Sequence, residues 1–379
     1  MFLKYVSIVF AAALCASVAR ADPLGGIELP ERLANAPSTS QVPADHDLMF
    51  EINEAHRVLS HRVAGSVSKR VPTLIKTKHG VKSGYKIERN YNTLLSVSVP
   101  GFIQTVRYSD PDDFVIERGK PNGINTPFTV TKPEGYAVVA VRHAIHAGEK
   151  QCHEVVYTPY SPAIDTVAMR KLGYAYLYRT LEKAYTDLLN NQHIRWQALP
   201  GKKVATLVPL NTAIVLSIIE HIDPDRLQDE PIENLVNEVL VPIGANQKTA
   251  YKYAGSSKGA RGLMQFVPKT YERVRRQQPG AHLIRNFVAG MDDQENAAKA
   301  AFLLFDSDLA QLPLEKRKEL LDPATPEAYL AQYLAAAYNG GAPRVVASLR
   351  QGGAWESRLA PETRDYIKKL DEVRALFES

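Results

Sequence analysis

The apolar positions of the chain follow two different rhythms. From Val81 to Tyr157 they come in short runs rich in β-branched and aromatic residues: Tyr85–Arg89, Thr93–Val99, Phe102–Tyr108, Phe114–Glu117, Phe128–Thr131, Tyr136–Val141 and Glu154–Tyr157. Turn signals separate them, among them Pro100-Gly101, Asp110-Pro111-Asp112, Pro121-Asn122-Gly123, Pro133-Glu134-Gly135 and Ala147-Gly148. That pattern predicts a small antiparallel sheet, sandwich or barrel. Past Pro159–Pro162 the spacing becomes helical. Leu172, Leu177, Leu181 and Leu188 predict one long amphipathic helix, ended by Asn190-Asn191-Gln192. After Leu199-Pro200-Gly201 almost every element reads as helix. Upstream, residues 22–78 start polar and Pro-punctuated and turn helix-like from Ala44, with Leu48, Ile52, Val58 and Leu59 forming an approximate stripe. The expected class is α+β: tail and short helix (22–78), β-rich module (79–162), linking helix (163–199) and a mainly helical domain (200–379).

Two stretches depart from ordinary patterning. Six of the eight residues Ala213–Glu220 are apolar and lie nearly all round the helical wheel, which predicts a buried helix with Asn211 or Thr212 as N-cap. It ends on a carboxylate, and Asp223-Pro224 stops it. The negative end of the helix dipole and apolar surroundings both disfavour a charged Glu220. A raised pKa is what a general acid needs; the plainer alternative is a solvated glutamate at a helix end. The second stretch is Gly259–Tyr271. Gly259 and Gly262 permit a sharp turn or close approach, and Gln265 interrupts the apolar residues Leu263, Met264, Phe266 and Val267. An amide among apolar side chains needs partners, and a ligand is one kind. The plainer alternative is a glycine-rich turn entering a core helix.

The ends and the composition narrow the setting. Lys4, the apolar run Val6–Val18 and Ala19-Arg20-Ala21 predict a signal peptide (1–21) cleaved after Ala21, hence export to the periplasm. No later run is long enough to span a membrane. Cleavage lowers the formal charge from +5 to +3, too mild and too dispersed to argue for nucleic acid. It removes Cys15 and leaves Cys152 alone, so no internal disulfide is expected. His143, His146, Cys152 and His153 have a spacing that could be written as a zinc site. In a strand, however, positions i and i+3 face opposite sides, so no metal is expected. His56 and His61 are expected on the surface.

Four motifs in order carry a family resemblance: Ile218-Ile219-Glu220 with Pro224; Ser256-x-x-Gly259-Ala260-x-Gly262-Leu263-Met264-Gln265-x-x-Pro268-x-Thr270; Ala336-Ala337-Tyr338-Asn339-Gly340-Gly341; and Pro361-Glu362-Thr363-Arg364-x-Tyr366-Ile367. Over about residues 200–379 the chain resembles the bacterial lytic transglycosylases of the soluble-transglycosylase (SLT) type, a branch of the lysozyme-like fold. The resemblance implies Glu220 as catalytic acid and then base. It implies Ser256, Leu263, Met264, Gln265, Tyr338 and Asn339 as glycan-cleft residues, peptidoglycan glycan strands as substrate, and no cofactor. The expected reaction cuts the MurNAc-GlcNAc β-1,4 bond, with the sugar's own 6-hydroxyl forming a 1,6-anhydro product. Two departures stand out. His221 takes the place of the family's usual Ser, making it a candidate auxiliary to Glu220. The stretch Pro224–Gly255 is roughly twenty residues longer than usual, with Glu233 and Glu238 as acids that could approach the site. A non-catalytic peptidoglycan-binding or scaffolding protein and a hydrolytic muramidase are the alternatives on the same fold. The β-rich module is open to an envelope protein partner or to glycan.

Overall fold

A computed structural model of the chain describes residues 26–38, 40, 47–78, 80–99, 102–120, 122–146, 152–199, 201–203 and 208–378. The expected signal peptide and its cleavage point lie outside the described residues, as does Cys15. No helix among the described residues is long and apolar enough to cross a membrane.

The β-rich module centres on a four-stranded antiparallel sheet. Strands β3 (Leu94–Val99), β4 (Phe102–Arg107), β7 (Ala137–His146) and β8 (Cys152–Tyr157) lie in the order β4-β3-β7-β8. The run Ala137–Val141 is apolar at every position because both faces of β7 are covered. Ala137, Val139 and Ala140 pack with Leu48, Ile52, Ala55 and Leu59 of helix α2 (Leu48–Ser60). Val138 and Val141 pack the other way, with Phe128 and Val130 of the hairpin β5 (Val115–Arg118) and β6 (Phe128–Lys132). The β structure begins earlier than the expected residue 79. A two-stranded ribbon, β1 (Ser66–Thr77) and β2 (Gly80–Tyr91), precedes the sheet. Pro72 and the many polar residues obscure β1 in the sequence. A ribbon with two free edges tolerates both.

The N-terminal segment is less loose than expected. Fully buried Arg170 pairs with Asp165 at 2.5 Å and donates to the carbonyls of Ala36 and Pro37, each at 2.8 Å. That holds the residues following α1 (Glu31–Asn35) against α3 (Val167–Asn190). His56, expected on the surface, bonds Thr158 at 2.8 Å, and burial pushes its pKa down to about 4.

Helix α3 is a core element rather than a linker. It packs on α4 (Leu210–Ile219), α5 (Ile232–Asn246) and α8 (Gln294–Leu309). The long stretch after Pro224 thus forms a packed helix, α5. The approach of α3 to α5 requires glycine: a Cβ on Gly173 would sit 2.0 Å from Leu240 O, and one on Gly244 2.5 Å from Met169 O. The end of α5 also clasps the sheet. Asn246 accepts from Thr158 N at 2.8 Å and donates to Thr158 O at 2.7 Å, so one side chain satisfies both backbone groups of a buried residue. The helices α6 (Pro268–Gln277), α7 (Phe287–Asp292), α9 (Leu314–Leu320), α10 (Glu327–Ala336), α11 (Ala342–Leu349) and α12 (Pro361–Arg374) complete the C-terminal part.

Candidate active site

Glu220 sits where the buried helix α4 ends. Every residue from Thr212 to Ile219 is buried, and Glu220 is the C-cap, with φ −63° and ψ −18°. The N-terminal end differs from expectation. The helix starts at Leu210 behind Pro209, and no side chain caps it, so neither Asn211 nor Thr212 plays that part.

Helix α12 meets the end of α4 at the carboxyl group. Tyr366 on α12 donates its hydroxyl hydrogen to Glu220 Oε1 at 2.6 Å. Lys369, one turn further along α12, donates to Ile222 O at 2.9 Å. Burial pushes Glu220 up to about 7, against the opposing pulls of the Tyr366 hydrogen bond and the Lys369 charge. Lys369 is pushed down to about 8 by its own burial. Neither residue was assigned a role from sequence. Thr363, Tyr366 and Lys369 recur every third position, the spacing of one helix face, and that stripe was the available signal.

His221 turns away from this chemistry. Its ring stacks on Tyr251, with centroids 3.7 Å apart and planes 16° apart. Its Nε2 lies 2.9 Å from Leu263 O, and burial pushes its pKa down to about 4. The ring is therefore neutral near pH 7, and contact with a carbonyl assigns the proton to Nε2. The residue ties the end of α4 to the glycine-rich loop.

That loop is built on left-handed backbone. Gly259 and Gly262 have φ of 82° and 78°, and Gln265 itself adopts φ 45°. A Cβ on Gly262 would come within 2.8 Å of Met291 O, so both the turn and the close approach expected of these glycines occur. The loop is closed by Gly262 N to Ala254 O at 3.0 Å and Arg261 N to Phe266 O at 3.0 Å. Gln265 Nε2 donates to Gly262 O at 2.7 Å, and its Oε1 has no partner among the described residues.

Two cavities of about 540 Å³ each open beside Glu220, and among the described residues Glu220 alone lines both. The first holds four of the sequence-derived cleft residues: Ser256, Gln265, Tyr338 and Asn339. Ser256 Oγ accepts from Ala260 N at 3.2 Å. Tyr338 donates to Met264 O at 2.5 Å, and Asn339 Oδ1 accepts from Thr363 at 2.9 Å. Leu263 and Met264 are placed differently. Both side chains are buried in the helical core and line neither cavity. Their carbonyls accept hydrogen bonds from His221 and Tyr338, so they reach the site's residues through the backbone. The first cavity also contains Asp308, which sequence reading passed over. Burial pushes it up to about 7, and Arg273, at 3.7 Å, opposes that.

The second cavity lies between α5 and the loop joining β5 to β6. Glu238 lines it but is spoken for: Arg226 donates to it at 2.6 and 2.8 Å, and to Glu230 at 2.5 Å. Glu233 lines neither cavity and pairs with Arg32 at 2.5 Å. Among the described residues no group of three metal-binding side chains comes together.

Residues 248–359 match the family described as Transglycosylase SLT domain. The chain carries an SLT transglycosylase domain. The matched segment contains the glycine-rich loop, Tyr338 and Asn339, while Glu220 lies before it and Tyr366 after it. No curated protein and no solved structure matches the chain. The SLT domain associates the chain with transglycosylase chemistry and peptidoglycan as substrate.

Proposed function

We propose that the protein is an exported peptidoglycan lytic transglycosylase acting in the periplasm, with Glu220 as its general acid and base. The observation that carries this is a carboxyl group held protonated close to neutrality at the junction of two cavities, where a polymer crossing from one to the other would present a bond.

Protonated Glu220 gives its proton to the glycosidic oxygen between MurNAc and GlcNAc as the bond to C1 of MurNAc breaks. The resulting carboxylate takes the proton of the MurNAc 6-hydroxyl while that oxygen bonds to C1. Glu220 ends protonated, no water is consumed, and the product is 1,6-anhydro-MurNAc. A pKa near the working pH favours both steps. Because the substrate supplies the nucleophile, the usual second carboxylate is not required. Tyr366 positions the carboxyl group, the part that a neighbouring Ser plays in the family, and His221 holds the end of α4 in place. In the first cavity Gln265 Oε1 and Asn339 are placed to bond sugar amide or hydroxyl groups, and Tyr338 offers a half-buried aromatic face.

Asp308 gives the hydrolytic muramidase reading one observation in its favour, since it is a second carboxyl group in the same cavity. Digestion of purified sacculi followed by mass analysis separates the readings. Anhydro-muropeptides that disappear in Glu220→Gln are the expected result. Reducing-end products that depend on Asp308 would mean hydrolysis, and retained sacculus binding without any product would mean a binding protein.

A further inference from the structure

The second cavity has no residue yet assigned to bind sugar, and the β-rich module builds one of its walls. Lys120, Asn122, Asn125 and Pro127 come from the β5–β6 connection, and they face Asp223, Val239 and Pro242 from the region of the long stretch. The connection is a built turn. Asn125 N donates to Asn122 O at 3.0 Å, Asn122 N to Thr126 Oγ1 at 2.9 Å, and Thr126 Oγ1 to Gly123 O at 2.7 Å. Ile124 anchors it from below, buried with Val155 and Tyr157. Tyr157 Oη in turn accepts from Tyr251 N at 3.4 Å, and Tyr251 stacks on His221. A continuous series of packed groups thus joins this turn to the residue beside Glu220.

Two polar groups in the wall are uncommitted. Asn125 Oδ1 is buried and has no hydrogen-bond partner among the described residues. Lys120 is exposed and forms no ion pair among them. A buried amide oxygen without a partner is uncommon in folded proteins and calls for an explanation. Asn125 lines the cavity and its Nδ2 is not among the buried unpaired atoms, so the amide can donate to the carbonyl of an acetamido group, and a small rotation would bring Oδ1 to its N–H. The Lys120 ammonium can donate to ring hydroxyls. The neighbouring Arg226 is not free to do so, being held by Glu230 and Glu238.

We propose that the turn Asn122–Pro127, with Lys120, forms the second arm of the substrate cleft and takes an N-acetylated sugar on the far side of the bond presented to Glu220. Placing the scissile bond there rests on the transglycosylase reading. The β-rich module is then part of the substrate site, and its turn sets how long a strand the protein holds.

The test is calorimetric binding of β-1,4-linked N-acetylglucosamine oligomers to the full chain. The wild type is expected to bind the hexasaccharide at least about tenfold more tightly than the disaccharide. Asn125→Ala and, at an exposed position where folding is not at risk, Lys120→Ala should each reduce that ratio several-fold by weakening hexasaccharide binding. The inference is overturned if both variants keep the wild-type ratio, or if the wild type shows no gain with length. Anhydro-product formation from sacculi is measured in parallel. A wild type that gains affinity with length, loses the gain in both variants, and makes no anhydro product would remove the transglycosylase reading and leave the second arm as a sugar site.

Discussion

The two walls that meet at Glu220 are made by different means. The first is irregular backbone. Three residues of the glycine-rich loop have positive φ, and the loop closes on itself through bonds between residues a few positions apart. The second is assembled from regular pieces distant in sequence: helix α5, the end of α4 and a turn in the β-rich module. The loop can be specified by glycines at fixed places in a short motif. The other wall exists only once α5 has docked on α3 and Asn246 has clasped Thr158. One wall is therefore local information, and the other is a product of tertiary packing.

Substitutions can separate the two walls from the chemistry between them. The largest effect is expected from Glu220→Gln, which leaves both walls in place. Turnover of sacculi should fall by about 10³-fold, within the range for loss of a general acid, while sacculus binding by pull-down remains.

Asn246→Ala attacks the second wall alone. It leaves the buried N–H and C=O of Thr158 without partners, a loss of about 2–4 kcal/mol in unfolding free energy, measurable by urea denaturation. If stability is unchanged, the clasp does not hold the wall.

Tyr366→Phe acts at the junction. We expect kcat to fall about tenfold, equivalent to about 1.4 kcal/mol. The pH profile adds a sign. In the proposed mechanism Glu220 works from its protonated form, so wild-type activity should decline as pH rises through about 7. The Tyr366 hydrogen bond lowers that pKa by favouring the carboxylate, so its loss should move the alkaline limb to higher pH. An unmoved limb would mean that Tyr366 only packs.

The smallest effect is assigned to His221→Phe, which keeps a ring against Tyr251 and loses the bond to Leu263 O. A loss of about 1 kcal/mol in stability is expected, with the alkaline limb where it was. A displaced limb would make His221 part of the titrating chemistry.

What could be read from the sequence follows the same division. Helix α4 and the tuned Glu220 were legible because an all-round apolar helix ending in a carboxylate leaves few other places for it. Gly259 and Gly262 announced a turn and a close approach, and both occur. The strands of the sheet followed their β-branched runs. Leu263 and Met264 show the limit of a motif. Apolar residues beside a cleft can line it or stand behind it, and only the packing of their side chains into the helical core separates the two. Tyr366 and Lys369 were visible as a helix stripe, but nothing near them in sequence says that Glu220 is their partner. The turn at Pro121-Asn122-Gly123 was legible as a turn. Its position opposite α5 depends on how the sheet docks, which no local pattern records.

Lys369 gives the site a last property, set from behind the carboxyl group. With Glu220 at about 7 and Lys369 at about 8, the pair titrates across a narrow interval. In mild acid it is a neutral carboxyl and an ammonium, with net charge of one unit positive. Between the two values it is neutral. Above both it is a carboxylate and an amine, one unit negative. The charge carried by these two groups, one lining both cavities and the other buried behind it, therefore changes sign within a pH step centred near neutrality.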